Sequence, residues 1–134
     1  MILAFKPQFQ DKILNGEKIH SIREDKTDRW QPGRLIQMAT GVRTKQYNQF
    51  SENVVKSVQY LSIFIKQRKI FVTNQPVLAL GALDTDILLT PEKMHDLAVN
   101  DGFNDVNEFF EFFENNYKTE VFKGKIIHWT YFKY

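Results

Sequence analysis

Cysteine is absent from the 134 residues. That excludes disulfides, thiol catalysis and cysteine-based zinc sites. Histidine is scarce, with three residues at 20, 95 and 128, too scattered to make a metal-ligand spacing. No metal or cofactor is expected. A glycine-rich phosphate loop and a serine-hydrolase elbow are both missing. No apolar run approaches the roughly 18 residues of a membrane span. The opening Met1-Ile2-Leu3-Ala4-Phe5 meets Lys6 and Pro7 too soon for a signal peptide, so a cytoplasmic location is expected.

What is present reads as a folded chain. The apolar fraction is 43% and the charged fraction 25%, ordinary for a globular protein and too apolar for disorder. The length suits one domain spanning 1–134. Net charge is only +2, yet it is unevenly spread. Residues 1–50 carry 9 basic and 5 acidic side chains, whereas residues 101–134 carry 4 and 6. A phosphate-bearing partner would meet the first half; a solvated basic face is the alternative.

The periodicities give an α+β order. Ile2–Phe5 reads as a short strand. Phe9, Ile13 and Leu14 recur at helical spacing, with Gly16 as a stop. Ile19–Arg23 is extended, with Ser21 and Arg23 on one face and His20 and Ile22 on the other. After the turn Gln31-Pro32-Gly33, residues 35–40 alternate as a strand. Residues 42–52 are polar and read as an exposed loop carrying Arg43, Lys45, Tyr47 and Phe50. Val54–Ile65 reads as one long strand. Ile70–Val72 and Val77–Leu80 read as shorter strands.

Thr90-Pro91-Glu92 announces a helix with Met94, Leu97 and Ala98 on its apolar side. Gly102 ends it in a left-handed conformation. Asp105 and Glu108 are spaced as a capping box for a second helix, with Val106, Phe109, Phe110 and Phe113 as its buried stripe. The tail from Val121 returns to strand composition.

One cluster can carry chemistry: Gly16-Glu17-Lys18-Ile19-His20-Ser21-Ile22-Arg23. A lysine here acts as a base only if burial or a neighbouring cation lowers its pKa. An arginine two residues past a serine can hold a phosphate or a carbonyl oxygen. The basic and aromatic loop with Arg43, Lys45 and Tyr47 can grip a phosphate backbone and stack a base, or its rings can tuck into the sheet. Trp30 is a second candidate platform.

The stretch Phe5–Arg23 resembles the opening of an ASCH domain, a family of PUA-like β-barrels. The family pattern is a short helix, then glycine, any residue, lysine, two residues, threonine or serine, one residue, arginine. Gly16, Lys18, Ser21 and Arg23 meet it. Trp30-Gln31-Pro32-Gly33-Arg34 resembles the family's turn into the second barrel strand. Ala98–Phe103, followed by Glu108-Phe109-Phe110, resembles its second signature. The resemblance covers about residues 2–45 and 90–132, leaving 66–89 as an elaboration.

The resemblance implies a small PUA-like β-barrel with two to three packed helices, the C-terminal strand closing it. It also implies a cleft that binds RNA or a modified nucleoside, lined by Lys18, Ser21, Arg23 and Asp101. One branch of the family, the bacterial N4-acetylcytidine amidohydrolases, cleaves an acetyl amide with a lysine, a threonine and a glutamate. These fall on Lys18, Ser21 and Asp101. Ribonuclease activity and a protein-interaction module with a vestigial cleft are the other readings. For Lys18 and Asp101, a salt bridge locking helix to barrel competes with catalysis.

Overall fold

The computed structural model describes residues 1–74 and 87–134. The expected strand Val77–Leu80 lies outside them. Strand β1 (Ile2–Phe5) is followed by a 3-10 turn at Pro7–Phe9 and helix α1 (Gln10–Leu14). Then come β2 (His20–Arg23), β3 (Leu35–Thr40), β4 (Asn48–Val54), β5 (Ser57–Phe64), β6 (Lys69–Thr73) and β7 (Ile87–Leu88). Helices α2 (Pro91–Asn100) and α3 (Val106–Asn116) precede the last strand, β8 (Val121–His128). The chain is therefore α+β, with three helices among the described residues. None of them is long and apolar enough to cross a membrane.

The strands form two sheets, β1-β3-β4 and β2-β8-β5-β6-β7. The expected alliance of β2, β5 and the C-terminal strand is present: β8 pairs antiparallel with both, setting Ile22 and Gln59 on either side of Ile126. A closed barrel is not detected among the described residues; there are two sheets where one closed surface was expected. They are joined at one corner. Val55 still belongs to the first sheet, its N–H donating to the Arg34 carbonyl and its own carbonyl accepting from Gly33. The next N–H, of Lys56, donates to His128 in the second sheet.

That corner corrects the single strand expected over Val54–Ile65. The composition is β-rich throughout, but Val55 and Lys56 take their partners from different sheets, so the run is the end of β4 plus β5. Residues 48–52 also depart from the expected loop. They pair antiparallel with β3. β4 is a polar edge strand whose ladder uses backbone groups alone, so its side chains lack the alternation that marks a half-buried strand.

The helices follow their signals. The Thr90 hydroxyl accepts from the Lys93 N–H, and the Asp105 carboxylate from the Glu108 N–H. Helix α3 buries Phe109, Phe110 and Phe113. Each such ring contributes roughly 1.5–3 kcal/mol on leaving water. With Phe103, Tyr117 and Phe122 they form an aromatic cluster beneath the α2–α3 corner, with ring centroids 4.6–5.6 Å apart.

Candidate functional site: a polar cavity at the seam between the two sheets

Helix α2 ends where the segment after α1 begins, and the two are locked through backbone carbonyls. The last carbonyls of a helix have no intrahelical donors. Here the Ile19 N–H donates to Asn100, Lys18 Nζ donates to Asp101, and Lys12 Nζ donates to Gly102. Two lysines thus sit on the negative end of the helix dipole. This capping accounts for a buried lysine at position 18 in structural terms.

Lys18 is 3% exposed and Asp101 5%. Their side chains pair at 3.1 Å, so the expected salt bridge is present. Lys18 Nζ also lies 4.9 Å from the centre of the Phe9 ring, a cation–π contact. Burial pushes the Lys18 ammonium down from its ordinary value, and Asp101 restores only part of the loss. Burial opposes ionisation of Asp101, but the Lys18 charge and the His20 hydrogen bond overcome it and hold the carboxyl below its usual range.

Sequence reasoning missed His20. It is fully buried, with Nδ1 3.2 Å from Asp101 Oδ1 and Nε2 2.6 Å from the Tyr134 hydroxyl. Asn100 Nδ2 donates to that same hydroxyl at 3.1 Å. The tautomer follows from the partners. An ionised Asp101 only accepts, so His20 Nδ1 carries the proton; Nε2 then accepts from the Tyr134 O–H. Burial keeps the imidazole neutral by lowering its pKa. Alternation already set His20 on the face opposite Ser21 and Arg23, but nothing local pointed to Tyr134 or Asn100.

Ser21 and Arg23 project from the other face of β2, as alternation requires. Arg23 Nε donates to Ser21 Oγ at 2.9 Å, and Nη2 donates to the Ala4 carbonyl at 2.5 Å. The guanidinium therefore bridges β2 to the edge of β1, across the seam between the two sheets, and lies 5.1 Å from the Phe5 ring centre. Lys18, Ser21, Arg23 and Asp101 all line one cavity of about 200 Å³. Convergence of these four residues, expected from the resemblance, is thus found. Its remaining walls include Phe5, Phe9, Phe103, Phe112 and Tyr117.

A second, open groove lies beside the first and shares Ala4 and Arg23 with it. Arg43, Tyr47 and Trp30 line this groove. Trp30 corrects an expectation: the indole is 3% exposed, packed into the core, and offers no free face for stacking. Tyr47 is 46% exposed. Lys45 is exposed on the same loop and lines neither cavity. Among the described residues no group of His, Asp or Glu is arranged to hold a metal.

No protein-family model matches the chain, and no curated protein and no solved structure matches it.

Proposed function

We propose that this chain is a PUA-like domain of the ASCH type that binds a nucleobase, of RNA or of a modified nucleoside, in the cavity at the seam. The observation that carries the reading is the composition of one small space. Donors and acceptors from Lys18, Ser21, Arg23 and Asp101 share about 200 Å³ with six aromatic rings. That volume is below the roughly 300–1,000 Å³ of a site for drug-sized ligands. It suits one planar heterocycle, stacked on rings and read at its polar edge. The corner at Val55–Lys56 and the Arg23 bridge at the opposite seam support treating the two sheets as halves of a barrel.

Binding is favoured over catalysis by the state of Lys18. Its Nζ donates to both the carbonyl and the carboxylate of Asp101, which favours the ammonium and opposes base function. A second reading, amide hydrolysis, is supported by the lysine's lowered pKa and by a serine hydroxyl in the same cavity. In that reaction neutral Lys18 takes the Ser21 proton while Oγ attacks the acetyl carbonyl. Arg23 stabilises the oxyanion, the amine leaves with a proton, and water releases acetate from the serine ester.

Calorimetric titration with a panel of natural and acetylated nucleosides, with products read by mass spectrometry, tests both. On the binding reading a nucleoside is retained unchanged, Arg23→Ala weakens it by tenfold or more, and Ser21→Ala by only a few-fold, a lone hydroxyl being worth about 0.5–1.5 kcal/mol. Deacetylation that Ser21→Ala abolishes selects the hydrolase. No retention and no turnover across the panel overturns both.

A further inference from the structure

The second groove shares Ala4 and Arg23 with the cavity and carries a definite charge. It has a volume of about 660 Å³ and is lined by Arg23, Arg29 and Arg43 against the single acid Glu24, with the half-exposed Tyr47 beside them. Arg23 belongs to both spaces, while Arg29 and Arg43 line only the groove.

Both segments that carry these outer arginines are held in place. Asp25 accepts from the backbone N–H groups of Arg29 and Trp30 at 2.9 and 2.8 Å. Lys125 from β8 grips the same carboxylate at 3.0 Å, and donates to Asp28 and to the Trp30 carbonyl. Asp25 and Lys125 side chains are 1% and 4% exposed. On the other side, the Arg43 loop is tied by Thr44, whose N–H and hydroxyl both donate to the Gly41 carbonyl and whose Oγ1 accepts from the Gln46 N–H. Arg43 itself sits at φ +65°, a conformation uncommon outside glycine. The groove is thus pre-organised, which reduces the entropy lost on binding.

We infer that the ligand is a single-stranded nucleic acid rather than a free nucleoside, with one base in the cavity and its phosphodiester backbone leaving past Arg23 to run between Arg29 and Arg43. This rests on the nucleobase reading of the cavity. A nucleoside has no charge for the outer arginines, and one phosphate at Arg23 would leave Arg43 uncontacted and Arg29, 63% exposed, with only its 3.9 Å pairing to Asp25. Guanidinium forks match phosphate oxygens. Tyr47 offers a neighbouring base a face to stack on. An acidic peptide would satisfy the arginines but gives the ring-lined cavity nothing planar to hold.

Fluorescence anisotropy with a labelled eight-nucleotide RNA of mixed sequence, set beside calorimetry with mononucleosides, tests the inference. The octamer is expected to bind at least tenfold tighter than the best mononucleoside. Each single-strand phosphate contact contributes about 0.7 to the slope of log affinity against log salt. Arg29→Gln combined with Arg43→Gln should therefore lower the slope by roughly 1.4, leaving mononucleoside affinity within twofold. Lys66→Gln with Lys69→Gln, on the distant β5–β6 turn, should leave the slope unchanged. The inference is overturned if the octamer binds no tighter than a mononucleoside, if the slope ignores the two arginines, or if a poly-glutamate peptide competes as well as RNA. Should the octamer bind with the expected slope while Arg23→Ala and every nucleoside are without effect, the groove stands and the cavity reading falls alone.

Discussion

Lys18 and Asp101, 83 positions apart, meet at 3.1 Å in a space from which water is largely excluded. Removing one partner of such a pair strands the other's charge, at a cost of about 3–5 kcal/mol; replacing both with apolar groups is far milder. Lys18→Met and Asp101→Leu should each destabilise the protein strongly in urea unfolding. The double variant should fall short of the sum of the two by about 1–3 kcal/mol. Strict additivity would mean that the two side chains act independently, as capping groups and no more.

The buried histidines predict an acid-sensitive fold. His128 is fully buried, its Nε2 bonded to Gln59 and its Nδ1 without a partner among the described residues. Burial, with the nearby His20, holds its pKa down at about 3 against an ordinary 6.5. Between those values the unfolded chain binds the extra proton, so stability falls as pH drops from about 6.5 toward 3. His20 contributes in the same direction. The depressed Asp101 carboxyl adds a further loss only below its ordinary value of 3.8. Unfolding free energy should therefore decline by a few kcal/mol between pH 6.5 and about 5, a window that ends above the ordinary carboxylate values of about 4. His128→Phe should flatten that decline, since Gln59 Oε1 keeps the Tyr134 N–H as a donor. An unaltered pH profile in this variant would assign the acid sensitivity elsewhere.

How much of this was legible depended on whether the signal was local. The helix caps at Thr90 and Asp105 and the stripe Phe109, Phe110, Phe113 are written within a few residues, and all three are found. Lys18, Ser21 and Arg23 were legible through family spacing, and Asp101 followed with them. The polar strand β4 was hidden because a strand whose side chains face solvent carries no apolar period. The corner at Val55–Lys56 was hidden because composition does not say which sheet a backbone group will find. His20 was passed over when histidines were weighed as metal ligands. Its partners, Asp101 and Tyr134, come from 81 and 114 positions away, a distance at which no pattern in the sequence speaks.

Lys125 supports a prediction about the loop between β2 and β3. Burial would lower its pKa, but the hydrogen bonds and charges of Asp28 and Asp25 outweigh that and raise it. The stabilisation is fully present below the ordinary lysine value of 10.5 and lost as pH climbs through the raised one. Lys125→Met leaves the buried Asp25 carboxylate beside two backbone donors, with only the exposed Arg29, 3.9 Å away, as a counter-charge. The loop carrying Arg29 and Trp30 should loosen. Tryptophan emission should shift to the red, limited proteolysis should cut within residues 24–34, and stability should fall by about 3–5 kcal/mol. Wild-type emission and protease resistance in this variant would show that core packing of Trp30 holds the loop unaided.

Gly102 joins the helix corner to the cavity and yields the narrowest test. It sits at φ +98°, and a Cβ there would lie 2.8 Å from Phe9 Cδ1 and 3.1 Å from Lys18 Cδ. Alanine therefore meets two obstacles. The left-handed backbone costs an L-residue roughly 1–2 kcal/mol, and the methyl group displaces both the ring and the lysine that line the site. Phe9 is held edge-to-face by Phe103 at 5.7 Å, so it has little room to retreat; the flexible lysine stem yields first. Gly102→Ala should lower the melting temperature by several degrees, since about 1 kcal/mol is worth roughly 4–8 °C at the small end of domain sizes and 2–4 °C at the large end. It should also weaken nucleoside or RNA binding well beyond what the stability loss explains at 20 °C. The control is Gly16→Ala. Gly16 has a similar backbone, φ +85°, but open space around its would-be Cβ. It should show the thermal loss without the binding loss. Equal binding by the two variants would sever the link between the α2 corner and the cavity.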